Sequence, residues 1–327
     1  MDWLNALNLT AGEFVGAYTA AYVLCALGLA VHFGFTGLLN FGQAAFAALG
    51  AYGYSIATLT FGWPWWSAVL FGLLCSAAFA VVLGIPTLRL RADYLAIVTI
   101  AAAQALKFAV SASIFEQVTG GSNGLSQFGD SFYSLNPIPK GRYDFGVFAL
   151  SENELFIRIV AWSLIILIAL FLYFLTRSPW GRVLKGIRED EDAVRSLGKN
   201  VFGYKMQSLI LGGVFGALGG VVFSLNSQTV QPTVFGTNFT FMSWTLLLLG
   251  GAATVLGPIV GGVVFFVIFL FLQNLLMGLQ GAGVLPFITS DQAAQIPFVL
   301  MGITLMLLVI FRPQGFFGNK KESQING

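Results

Sequence analysis

The chain has 327 residues, 57% of them hydrophobic and only 9% charged, with a formal net charge of +2. Soluble domains are about 45–50% apolar and about 25% charged, and they need polar residues to cover their surface, so a soluble fold is excluded. The near-neutral balance points to neither a nucleic acid nor an acidic partner, and long continuous apolar tracts exclude a barrel of alternating strands.

No charged residue occurs from Phe14 to Leu88, from Met206 to Ser290 or from Gln292 to Phe311. A bilayer-spanning helix needs roughly 20 apolar residues. The tracts therefore predict an all-α polytopic membrane protein in one transmembrane domain. Its roughly nine segments lie near 14–33, 37–60, 65–87, 93–115, 157–176, 205–225, 240–253, 258–278 and 295–312. Asp2 and Trp3 lack the basic character of a cleaved signal peptide. Cys25 and Cys75 sit inside apolar runs, so no structural disulfide is expected.

Two places interrupt this pattern. Gly34 to Thr36 is all that separates the first two segments, and Gly257-Pro258 follows the short seventh. Irregular backbone at membrane depth is tolerated only where it is buried in protein or lines a cavity, so both are candidate pathway elements.

Of the 16 Lys and Arg residues, 12 fall in or beside the alternate connections 88–92, 177–204 and 313–327. The positive-inside rule makes those connections cytoplasmic, with the N-terminus outside and the C-terminus cytoplasmic. Trp63, Trp65 and Trp66 fall where an outer aromatic belt would lie. The outward segment 116–155 is rich in Gly, Ser, Asn and Pro, and Thr119 to Leu125 has the composition of a tight turn cluster. A connection this long is functional or disordered.

The cytoplasmic stretch from Arg177 to Lys205 holds 11 of the 30 charged residues. Leu184, Ile187, Val194, Leu197 and Val201 recur at helical spacings, opposite Arg188, Glu189, Asp190 and Asp192. Residues 181–200 thus read as one amphipathic helix, stopped by Gly198 and Asn200. Such a helix either lies on the membrane surface or docks into a partner's groove.

The run from Trp180 to Gly198 resembles the cytoplasmic loop of ATP-binding-cassette (ABC) importer permeases, and within them the branched-chain amino acid permease family, LivM-type. Asp192-Ala193-Val194-x-x-x-Gly198 is similar to the Glu-Ala-Ala-x-x-x-Gly motif of such permeases, with Asp for Glu and Val for the second Ala. Other stretches agree in order and spacing. They are Gly37 to Phe46 with Gly50-Ala51-Tyr52, Arg89 to Thr99, Thr119 to Leu125, Leu249 to Ala252, Leu256 to Gly261, and Phe311 to Gly315.

The resemblance implies a plasma- or inner-membrane importer permease bundle, working with a homologous permease subunit, two cytoplasmic ABC ATPases and an extracytoplasmic substrate-binding protein. Residues 181–200 would be the coupling helix. Ile187, Val194 and Leu197 would enter an ATPase cleft, Arg188, Glu189 and Asp190 would set register at its rim, and Asp192, Ala193 and Gly198 would carry the motif. The cargo implied is a branched-chain or other neutral amino acid. Urea or a short amide would suit a weakly charged pathway equally well.

No Gly-x-x-x-x-Gly-Lys-Ser/Thr loop, nucleophile set or metal cluster is present, so the chain is read as a transport subunit without cofactor or catalytic residue. Among intramembrane polar residues, Asn40, Gln43 and Gln104 are pathway-lining candidates; the alternative for Asn40 and Gln43 is interhelical hydrogen bonding. His32 reads as a packed or interfacial residue, and Lys107 as one that snorkels to the outer interface. The spans carry no deep carboxylate, which argues against a proton- or sodium-coupled carrier. A stand-alone transporter would also have no use for the helix at 181–200. A faint echo between Phe41–Gly50 and Leu249–Gly257 fits a central pathway built from repeats.

Overall fold

The computed structural model describes residues 12, 14–89, 92–144, 149–281, 288–311 and 315–316. Helix α1 (Ala17–Leu29) runs on through a π-helical turn, Ala30–Phe35. It is followed by α2 (Gln43–Leu59), α3 (Trp65–Thr87) and α4 (Ala92–Ser111). Next come α5 (Glu152–Arg177), α6 (Pro179–Glu189), α7 (Glu191–Ser196) and α8 (Val201–Ser227). The last three are α9 (Thr237–Gly250), α10 (Gly257–Gly281) and α11 (Ser290–Phe311).

Among the described residues, 7 helical stretches are long and apolar enough to cross a membrane. Helices α2 and α9, with 17 and 14 residues, are too short by that measure. They adjoin two non-helical stretches, 36–42 and 251–256, which border the interruptions expected at Gly34 to Thr36 and Gly257-Pro258. Helix α8 packs against α1, α2 and α3. Glycine permits the close approach: a Cβ on Gly220 would stand 1.9 Å from the Ala47 carbonyl oxygen, and one on Gly28 2.3 Å from that of Gly212.

The outward segment is folded. Strand β1 (Leu125–Ser126) precedes a hairpin of β2 (Arg142–Asp144) and β3 (Ala149–Ser151), and β1 pairs antiparallel with β4 (Thr229–Val230). Phe128 and Phe132 are buried, and the Tyr133 hydroxyl donates to the Leu225 carbonyl at 2.9 Å. Burial pushes that hydroxyl's pKa up, holding it as a neutral donor. Helix α5 starts at Glu152 rather than near 157. Ser151 and Glu154 form a reciprocal capping box that hydropathy does not register.

Two connections lie together at each end. Arg89 shares a groove with Arg195 and Lys199, so Leu88 and Arg89 lie at the same end as 177–204. Trp65 packs on Phe132 with ring centroids 6.3 Å apart, so the turn before α3 and the 116–155 segment share the other.

Candidate translocation and coupling site

Residues 36–42 break the helical ladder inside the bundle, so each backbone group there needs another partner. Gly37 N–H bonds the Phe33 carbonyl at 3.0 Å and Leu38 N–H that of His32 at 2.8 Å. The Thr99 hydroxyl of α4 accepts from Phe41 N–H at 3.0 Å, and the Thr240 hydroxyl of α9 accepts from Ala44 N–H at 3.0 Å. Trp244 of α9 donates its indole N–H to the Asn40 carbonyl at 3.0 Å and stacks on Phe41. Two other helices therefore hold the break.

A fully buried side-chain chain runs through the same point. His32 Nε2 lies 3.1 Å from the Leu209 carbonyl, which can only accept, so Nε2 carries the proton and Nδ1 is an acceptor. The Asn40 amide donates one hydrogen to His32 Nδ1 and the other to Gln43 Oε1, each at 3.1 Å, while its oxygen accepts from Gly42 N–H at 2.8 Å. Gln43 Nε2 donates to the carbonyls of Cys25 and Gly212 at 3.2 and 3.3 Å. Both amide NH2 groups are used completely. Beside them, the Thr36 and Ser208 hydroxyls lie 2.6 Å apart, and each reaches the Val31 carbonyl.

The two interruptions meet. A Cβ on Gly34 would stand 1.8 Å from the Ala252 carbonyl oxygen, so only glycine admits that approach. Gly315, at φ +69°, packs on Gly251, and Phe316 N–H bonds the Leu249 carbonyl at 2.9 Å.

Segment 181–200 is two helices rather than one. Asp190 takes an extended conformation (φ −153°, ψ 102°), ends α6, and caps α7 by accepting from Ala193 N–H at 2.9 Å. Ile187 and Val194 are 4% and 9% exposed and belong to this chain's own core, with Leu184, so the shared apolar face packs inward instead of presenting these two residues to an ATPase cleft as the resemblance implies. Leu197 is 78% exposed, and Glu189, Asp190, Asp192, Ala193 and Gly198 are exposed with it. Arg188 turns inward and donates to the Gly34 carbonyl at 2.5 Å. Arg195 pairs with both Glu191 and Asp192 at 2.8 Å, and Lys205 pairs with Glu191. Beside α7 opens a groove of about 490 Å³, lined by Arg89, Asp192, Lys199 and Phe202 among others.

Of the polar candidates, Asn40 and Gln43 are buried in the hydrogen-bonded chain, and His32 is packed beside them as expected. Gln104 is half-buried and donates to the Thr237 hydroxyl at 2.7 Å, at the start of α9. The sequence reading missed Thr99, Thr240, Ser208 and Trp244. Their one signal is a hydrogen-bonding side chain within an apolar tract.

Interrupted helices meeting inside an apolar bundle, with a charged helix pair fastened to the break, define a solute permease rather than an enzyme. The chain belongs to the family of branched-chain amino acid transport system permease components, whose pattern matches residues 13–311. It is 29% identical over 313 residues to the high-affinity branched-chain amino acid permease LivM of Salmonella typhimurium, covering 92% of this chain and 68% of that protein. It is 23% identical over 333 residues to a probable LivM of Methanocaldococcus jannaschii, covering 91% of each. It is also 26% identical over 339 residues to the guanosine ABC transporter permease NupQ of Bacillus subtilis, covering 100% of this chain and 98% of NupQ. The protein is thus a multi-pass inner-membrane transport subunit, and its family works with other ABC subunits.

Proposed function

We propose that this chain is one of two homologous permeases in an ATP-driven importer of branched-chain or other neutral amino acids. Its N-terminus lies outside and its C-terminus in the cytoplasm. ATP is bound and hydrolysed on two separate cytoplasmic ATPases, and a binding protein outside the membrane delivers substrate. The observation that carries the reading is the α6–α7 pair. Its inner face is built into the core through Leu184, Ile187 and Val194, its outer face presents Leu197, and Arg188 ties it to Gly34, beside the break at 36–42. ATPase closure against Leu197 would move the break directly, which supplies the differential contact that coupling requires.

The relationship to NupQ favours a second reading, a nucleoside as cargo, on the same architecture. Purifying the tagged chain from its native membrane decides the assembly: two ATPases and a second permease should come with it. Uptake of L-leucine against guanosine by that complex decides the cargo. A chain that purifies alone and still moves solute would overturn the importer reading.

A further inference from the structure

Lys107 lies toward the end of the bundle that carries the outward segment. It lines a small pocket with Tyr52 of α2, Leu106 and Val110 of α4, and Pro232 and Phe235 just before α9. The pocket lies next to the β1–β4 pair, at the end of the bundle that carries the outward segment. Three observations make it electropositive and unsatisfied. Lys107 has no ion-pair partner among the described residues, and a lone ammonium within a bundle calls for one. Its Nζ lies 3.6 Å from where a Cβ on Gly236 would stand, and Gly236 is the N-cap of the 14-residue α9, with no side chain capping that helix. A cation beside a helix N-terminus adds to the positive pole instead of offsetting it. The Tyr52 hydroxyl, on a residue only 4% exposed, is buried without a hydrogen-bond partner.

We propose that Lys107, the Tyr52 hydroxyl and the uncapped N-terminus of α9 form an anion subsite that takes the carboxylate of a zwitterionic substrate on its way in. The proposal rests on the amino-acid reading above. The room is about 10 Å³, at most that of one water, so a single carboxylate oxygen would enter while the rest of the carboxylate stays at the mouth. The substrate's apolar part would lie outside the pocket, against the exposed face of α4. Interrupted transporter helices commonly aim their N-termini at anionic substrate groups. Gln104, one turn along α4, holds Thr237 and so fixes the same terminus. A nucleoside has no carboxylate and would leave Lys107 unpaired.

The test uses the whole importer in proteoliposomes, with radiolabelled L-leucine as probe. Lys107→Gln should lower uptake about tenfold, the scale of a lost charge-assisted hydrogen bond, while Lys107→Arg keeps most of it. Tyr52→Phe should lower it by a smaller factor. All three complexes should co-purify with their partners. Wild-type leucine uptake unchanged by Lys107→Gln overturns the subsite and leaves the amino-acid reading standing. A Lys107→Arg variant as impaired as Lys107→Gln also overturns it, because charge would then not be the property that matters. A wild-type complex that takes up guanosine and not leucine overturns the amino-acid reading, and the subsite falls with it.

Discussion

The Arg188 guanidinium donates to the Gly34 carbonyl across 154 positions of chain, joining the cytoplasmic helix pair to the π-helical turn of α1. The regular ladder would bring the Leu38 N–H to that carbonyl, but Leu38 turns to His32 instead and leaves it open. Arg188 fills the gap. The bond therefore lies at the end of the π-helical turn, beside the break at 36–42.

If Arg188 transmits the stroke, Arg188→Leu should leave the complex assembled and hydrolysing ATP while the solute moved per ATP falls. A coupling of about 1–3 kcal/mol corresponds to roughly 5–150-fold. Uptake and phosphate release measured on the same proteoliposomes give the ratio. An unchanged ratio would assign Arg188 to folding alone.

Gly34→Ala should be severe, because its Cβ would fall 1.8 Å from backbone oxygen of Ala252 and push the two interruptions apart. Gly198→Ala is the contrast. Gly198 has φ +75° but nothing within 4 Å of an added Cβ. It should therefore cost only the left-handed strain of about 1–2 kcal/mol. Thermal melting of the detergent-solubilised chain should show a large loss for the first and a small one for the second.

Asn40→Leu should strip partners from His32 Nδ1, Gln43 Oε1 and the Gly42 N–H together. Interhelical hydrogen bonds in membranes are worth about 0.6 kcal/mol on average, whereas a buried orphaned group costs about 1–3 kcal/mol. The orphan cost should dominate. Asn40→Leu in a His32→Phe background should then cost less than it does alone, which a double-mutant cycle of melting free energies would show.

The positions of the interruptions were legible because glycine and proline punctuate otherwise featureless apolar runs. Gly34 to Thr36 and Gly257-Pro258 are plain in the chain, and the breaks at 36–42 and 251–256 lie beside them. Hydropathy could not show that they touch, since Gly34 meets Ala252 only in three dimensions. The start of α5 was legible as Ser151-x-x-Glu154 and was passed over because the apolar run begins later. Of the expected apolar face, only Leu197 departs, because Asp190 breaks the helix and the register from Leu184 and Ile187 carries to Val194 but not to Leu197.

The altered face of α7 changes which substitutions test coupling. Ile187→Asp would bury a carboxylate against Leu184 and Val194, so it should unfold the helix pair and cost several kcal/mol. Loss of uptake there would say nothing about the ATPase. Leu197→Asp places its charge in solvent and should change stability by no more than about 0.5 kcal/mol. Its complex should insert normally, and a melting curve matching wild type would verify that. With the fold intact, a loss of function would report on a contact that Leu197 makes outside this chain. Co-purification of the ATPases should then weaken and uptake fall with it. Undiminished ATPase recovery from Leu197→Asp membranes would move the docking surface away from Leu197, to the groove that α7 shares with Arg89 and Lys199.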